Sequence, residues 1–135
     1  MQKLFGFSLI EILVVMVVIG LLSLLTIPIY SNYLIYSNRT DAIQTLLAIQ
    51  IAEEKYRLSN NTYGTLAQVW SGTNSVSSYY QLAITNVTAT TYTITATATG
   101  NQTQDTQNGM SCASIVLAYA SNTATKTPAA CWAMN

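Results

Sequence analysis

Nineteen consecutive residues without a charge, Ile12 to Tyr30, constrain this chain more than any other feature. Only Gly20, Ser23, Thr26 and Pro28 interrupt the aliphatic character of the run. A helix of about 20 apolar residues matches the ~30 Å hydrocarbon thickness of a bilayer. A helix that is apolar all round has to be covered by lipid or by other helices, so the run predicts an anchor. One acid, Glu11, stands at its start. A carboxylate in hydrocarbon is costly and rarely kept without a role. Either Glu11 has a partner in the apolar layer, or it lies close enough to the helix start for head groups and the helix dipole to tolerate it.

The remainder of the chain is polar but barely charged. At 135 residues it suffices for one small domain, and only 7% of its residues are charged, against a usual share of about 25%. Histidine is absent, and the five acids (Glu11, Asp41, Glu53, Glu54 and Asp105) are scattered. No metal cluster, nucleophile-base pair or phosphate loop can be assembled from that material. The chain is therefore expected to have no catalytic residues, metal or cofactor, and not to be an enzyme. Beyond Leu58 the charged side chains are Asp105 and Lys126. Nucleic acid is an unfavoured partner on that ground, because phosphate contacts need several cations. Tyr79, Tyr80 and Trp132 could stack on bases, but such aromatics more often fill a core.

The first residues do not follow the order of an ordinary secretory signal. Met1-Gln2-Lys3-Leu4-Phe5-Gly6 is a short leader with one positive charge, and the apolar run follows its only glycine. No small-residue cleavage site closes the run, since Thr26-Ile27-Pro28 stands there. A cut after Gly6 would leave the apolar helix on the mature protein. Export in turn bears on Cys112 and Cys131, which lie 19 positions apart and lack the spacing of a redox pair. An oxidising compartment favours a disulfide between them; two buried thiols are the alternative.

Gly6-Phe7-Ser8-Leu9-Ile10-Glu11, then Ile12-Leu13-Val14-Val15, Gly20, Ile27-Pro28-Ile29-Tyr30 and Tyr33 together resemble the N-terminal segment of type IV pilins. Weaker similarity continues through Arg39-Thr40-Asp41-Ala42, Asn60-Asn61-Thr62-Tyr63, Tyr92 to Ala96 and Cys131-Trp132. These later pieces resemble PilE-type minor pilins, a group that includes a DNA-uptake pilin. The resemblance implies a prepilin peptidase cutting between Gly6 and Phe7 and N-methylating Phe7. It gives Glu11 a role in filament assembly, opposite a neighbouring subunit's Phe7 ammonium, and makes Gly20 and Pro28 points of helix flexibility. Implied partners are other pilin subunits, the peptidase, the pilus assembly machinery and, before assembly, the inner membrane; the assembled pilus is extracellular. A DNA-binding competence pilin and a type II secretion pseudopilin are the alternatives. The major pseudopilin's C-terminal calcium site needs acidic ligands, and Asp105 is the one acid in the head.

Pattern supplies the rest. The helical pattern runs from Phe7 to about Leu58. Past Tyr33 it becomes amphipathic, with Ala42, Leu46, Ile49, Glu53 and Tyr56 on one face and Asn38 to Asp41 as a polar shoulder. Ser59 to Gly64 reads as a stop and loop, and 65–78 as a loop or short helical turn. Tyr80-Leu82-Ile84 and Tyr92-Ile94-Ala96-Ala98 alternate with period two and predict an antiparallel hairpin about Asn86–Thr90. A third strand is expected at Cys112–Ala120, and an edge strand at Thr127–Trp132 with Pro128 tolerated there. The expected class is α+β, a pilin fold with one long helix and an antiparallel sheet of three or four strands. Its divisions are a leader at 1–6, a membrane or filament-core half-helix at 7–30, an amphipathic half at 31–58 and a head at 59–135.

Overall fold

The computed structural model describes residues 6–133, with side chains at 25–29 outside the described set. Two compact units divide the chain, Met1–Leu34 and Ile35–Asn135. Helix α1 (Leu9–Asn60) supplies most of the first unit and one layer of the second. It ends where Asn61 takes a left-handed φ of 53°, a conformation that asparagine tolerates better than most residues. A four-residue helix, α2 (Leu66–Val69), follows. The Thr65 N–H is held by Gln68 Oε1 at 2.8 Å, a reach-back contact typical of helix starts.

The second layer is an antiparallel sheet in the order β1-β2-β5-β6, made of Tyr80–Thr85, Tyr92–Ala98, Ser114–Ala120 and Thr123–Thr127. Tyr80 pairs with Ala98, Tyr92 with Tyr119, and Leu117 with Lys126. Strands alternate their side chains between two faces. In this register Tyr80, Leu82, Tyr92, Ile94, Ala96, Ile115 and Leu117 fall on one face, where they are buried with Ala42, Ile43, Leu46 and Ile49 of α1. The opposite face carries Thr93, Thr95, Thr97, Thr125 and Thr127. This is the α+β pilin architecture the alternation implied.

Three features depart from the expectation or add to it. The edge strand lies at Thr123–Thr127, and the 127–132 segment reserved for it turns helical as α3 (Ala129–Trp132). Pro128 is the physical reason, since it has no N–H to give a ladder and its φ, here −65°, suits the approach to a helix. Ser121 and Asn122, at φ 51° and 65°, make the tight turn between β5 and β6, which needs positive φ at both central positions. Between β2 and β5 a 3₁₀ turn (Gly100–Gln104) leads into a two-stranded hairpin, β3 (Thr106–Gln107) and β4 (Met110–Ser111). Asn108-Gly109 sits at its tip with both φ values positive, the strongest short-range hairpin signal a sequence carries.

Candidate assembly site

The first unit presents an apolar helix whose described side chains find little cover within the subunit. Phe7 is 80% exposed, Leu9 84% and Met16 67%, and the large apolar side chains through Leu24 are exposed at successive helical phases. Burying each such side chain gains about 1.5–3 kcal/mol, so the segment favours covering on every side. Among the described residues no helix is long and apolar enough to cross a membrane. The described run is interrupted after Leu24, because the side chains at 25–29, Pro28 among them, lie outside the described set.

Gly6 and Phe7 lie exposed ahead of the helix. Ser8 then serves as its cap: Ser8 O accepts the Glu11 and Ile12 N–H groups at 3.0 and 3.2 Å, and Glu11 Oε2 accepts the Ser8 N–H at 3.4 Å. Within the subunit, then, Glu11 answers an orphan donor of its own helix end. The Ser-x-x-Glu spacing of a capping box signals this in the sequence. Gly20 lies farther along, inside α1.

In the second unit one member of the expected polar shoulder, Arg39, proves to be internal, while Asn38, Thr40 and Asp41 are half-buried. Arg39 is buried, because it meets Asp105 in a salt bridge of 3.1 Å. The same Nη1 reaches Cys112 Sγ at 3.3 Å, while Nη2 donates to Gln107 Oε1 at 2.8 Å. Asp105 Oδ2 also accepts from the Tyr80 hydroxyl and the Gln102 amide, each at 3.3 Å. Gln102 in turn donates to Ile35 O at 2.9 Å and accepts from Asn38 Nδ2 at 3.2 Å. Burial pushes the Asp105 carboxyl above its ordinary value of 3.8, with Arg39 first among the groups pulling it back. Cys112 and Cys131 form the disulfide, with Cα atoms 5.6 Å apart. Helix, 3₁₀ turn, small hairpin and disulfide are thereby joined through one guanidinium.

The sequence model of the family described as "Type IV minor pilin ComP, DNA uptake sequence receptor" matches residues 28–116, well over half of the chain. The chain belongs to this minor pilin family. A second match, to the prokaryotic N-terminal methylation motif, covers residues 1–27 of the pilin. It is also similar to type II secretion system core protein G of Klebsiella pneumoniae, 35% identical over 68 residues, covering 50% of this chain and 49% of that protein. Prepilin peptidase-dependent protein D of Escherichia coli (strain K12) is 38% identical over 78 residues, covering 58% and 51%. The pilin thus spans about half the length of the curated relatives it matches.

The minor-pilin match contains Arg39, Asp105 and Cys112 but stops before Lys126, Cys131 and Trp132. Those three cluster near the end of the pilin: Lys126 Nζ lies 5.0 Å over the Trp132 ring, and Cys131 joins Cys112. Of the aromatics singled out in the sequence, Tyr80 is fully buried, Trp132 half-buried and Tyr79 46% exposed. Sequence reasoning missed the Arg39–Asp105 pair, whose partners are 66 positions apart. One available signal was that Asp105 is the sole acid after Leu58.

Proposed function

We propose that this minor pilin is a structural subunit of a type IV pilus, cleaved between Gly6 and Phe7 and methylated on the new Phe7 amine by prepilin peptidase. The apolar helix whose described side chains are left largely exposed carries the reading, together with the methylation motif at residues 1–27. Before assembly the 7–30 segment is held in the inner membrane; afterwards it packs among the same segments of other subunits, in an extracellular filament. Gly20 and Pro28 give the segment its flexible points, the first by its backbone freedom and the second by its missing donor. Glu11 exchanges its weak intrahelical contact for a neighbouring Phe7 ammonium. The work done is assembly, and we read the chain as no enzyme.

The family description raises a second reading, a receptor for DNA. The basic side chains of this pilin's second unit do not support it well. Arg39 is consumed by Asp105, and Arg57 donates to the Tyr63 hydroxyl at 2.8 Å. Lys55 and Lys126 remain. Two phosphate contacts give a salt slope of only about −1.8 in log affinity, where six to ten contacts mark strong binders. Submicromolar, salt-sensitive binding of duplex DNA by the full chain in detergent would promote this reading over the structural one.

Intact mass of the mature protein tests the processing. Loss of Met1 to Gly6, gain of one methyl group and loss of two hydrogens at Cys112–Cys131 is the expected result; a mature chain that retains the leader sinks the proposal. Glu11→Ala is expected to insert in the membrane normally and to abolish piliation, and wild-type piliation would refute the pairing role.

A further inference from the structure

The apolar stripe of α1 ends on a carboxyl that no described cation meets. Glu53 is 0% exposed. Its Oε2 accepts the Gly64 backbone N–H at 2.8 Å, and Oε1 has no hydrogen-bond partner. The titratable groups that act on it are Glu54 on α1 and Tyr92 on β2; next to Tyr92 stand Tyr63, ahead of α2, and Tyr119 on β5, and Arg57 of α1 lies against Tyr63. Arg57 is committed elsewhere. Its guanidinium lies 5.0 Å over the Tyr63 ring and donates to that hydroxyl, which donates in turn to Glu54 Oε1 at 3.1 Å. Glu53 is left with one amide donor and a like charge beside it. An anion there would bury a full charge, whereas the acid leaves only one neutral group unpaired, at far lower cost.

Gly64 connects this carboxyl to a separate piece of chain. A Cβ on Gly64 would stand 2.6 Å from Val69 Cγ1 and 3.2 Å from Tyr56 Cδ1, so Gly64 is wedged between α2 and the last turns of α1. Thr65 and α2 follow at once. Val69 of α2 and the last turns of α1 wall a groove of about 370 Å³, lined on the α1 side by Ala52, Lys55, Tyr56, Ser59 and Asn60.

We propose that Glu53 is a proton-operated latch: as the acid it pins Gly64, and with it the 61–70 segment, to the end of α1, and on giving its proton to solvent it lets that segment loosen and the groove open. Burial raises its pKa above the ordinary 4.5, against the Gly64 hydrogen bond and helped by Glu54. The latch closes in mild acid and weakens as pH rises.

Amide hydrogen exchange on the full chain in detergent micelles, corrected for intrinsic rates, tests this at about pH 5 and about pH 8. Protection at Gly64 and residues 66–70 is expected to fall across that range in the wild type, by about threefold for one unit of raised pKa and by more for a larger one. In Glu53→Gln the fall is expected to be under about twofold, and Glu54→Gln is expected to behave as wild type. Equal wild-type protection at both pH values overturns the latch, as does a wild-type fall in Glu53→Gln or its loss in Glu54→Gln. Should Glu53→Gln not fold, carboxyl carbon NMR of the wild type decides. A Glu53 midpoint above the ordinary value supports the latch, and one at or below it overturns it.

Discussion

Two buried acids, Asp105 and Glu53, sit in surroundings built on opposite plans. Asp105 meets a guanidinium at 3.1 Å and accepts from Tyr80 and Gln102, and the disulfide touches the same guanidinium. Glu53 has one backbone N–H, one oxygen without a partner and an acidic neighbour. Burial raises both carboxyls from their ordinary values. The difference lies in what is lost when the acid is removed. Taking away Asp105 strands a buried cation, whereas taking away the Glu53 charge strands nothing. One region is held by pairing, the other by a proton.

The sharpest way to break that comparison is Asp105→Asn. Leaving Arg39 buried and unpaired is expected to cost about 3–5 kcal/mol, read as a large fall in the urea midpoint of the second unit; a loss under about 1 kcal/mol would mean that the pair is solvated after all. Replacing both cysteines by serine comes next, at about 3 kcal/mol in the chain-entropy model. Because Arg39 touches both Asp105 and Cys112, the two losses are expected to be non-additive in a double-mutant cycle, and strict additivity would separate disulfide from ion pair. Gly64→Ala tests the other region. Its Cβ would crowd Val69, and about 1–3 kcal/mol is expected from overpacking. Glu53→Gln has the smallest effect at neutral pH, within about 1 kcal/mol and of either sign, because the amide oxygen still accepts from Gly64. Its signature is in the pH profile of thermal stability. A raised folded-state pKa means that the native state holds the proton more tightly, so this contribution is full below about pH 4.5 and is lost as pH rises through the folded value. Glu53→Gln is expected to remove its share of that decline and to leave the share of Asp105, whose carboxyl burial also raises. A profile as steep as the wild type would show that Glu53 is ionised throughout.

Much of the architecture could be read along the chain because it rests on local periodicity. Tyr80-Leu82-Ile84 and Tyr92-Ile94-Ala96 alternate as half-buried strands must, and the structure pairs them antiparallel. The heptad-like stripe through Ala42, Leu46 and Ile49 is buried as its spacing required. Where reading failed, the cause was a short signal outweighed by a longer pattern. Pro128, which an edge strand tolerates, marks the point where the strand stops, and Asn108-Gly109, two residues within a long polar stretch, closes the β3–β4 turn. Arg39 reads along the chain only as part of a polar shoulder, because nothing in its local spacing marks a guanidinium that lies inside.

The sequence by itself determined the long helix, the two-faced sheet, and the uncharged segment with its single acid at Glu11, since each is a matter of residue type at fixed spacing. Tertiary structure alone decided which charges are inside. A cation on α1 and an acid 66 positions later come together only once the sheet and the small hairpin bring Asp105 and Gln107 back to the helix. Whether a buried acid is paired or protonated likewise depends on neighbours that spacing along the chain does not encode. The apolar helix is legible without the fold because residue type at fixed spacing defines it; the polar interior is not, because its partners come from distant parts of the chain.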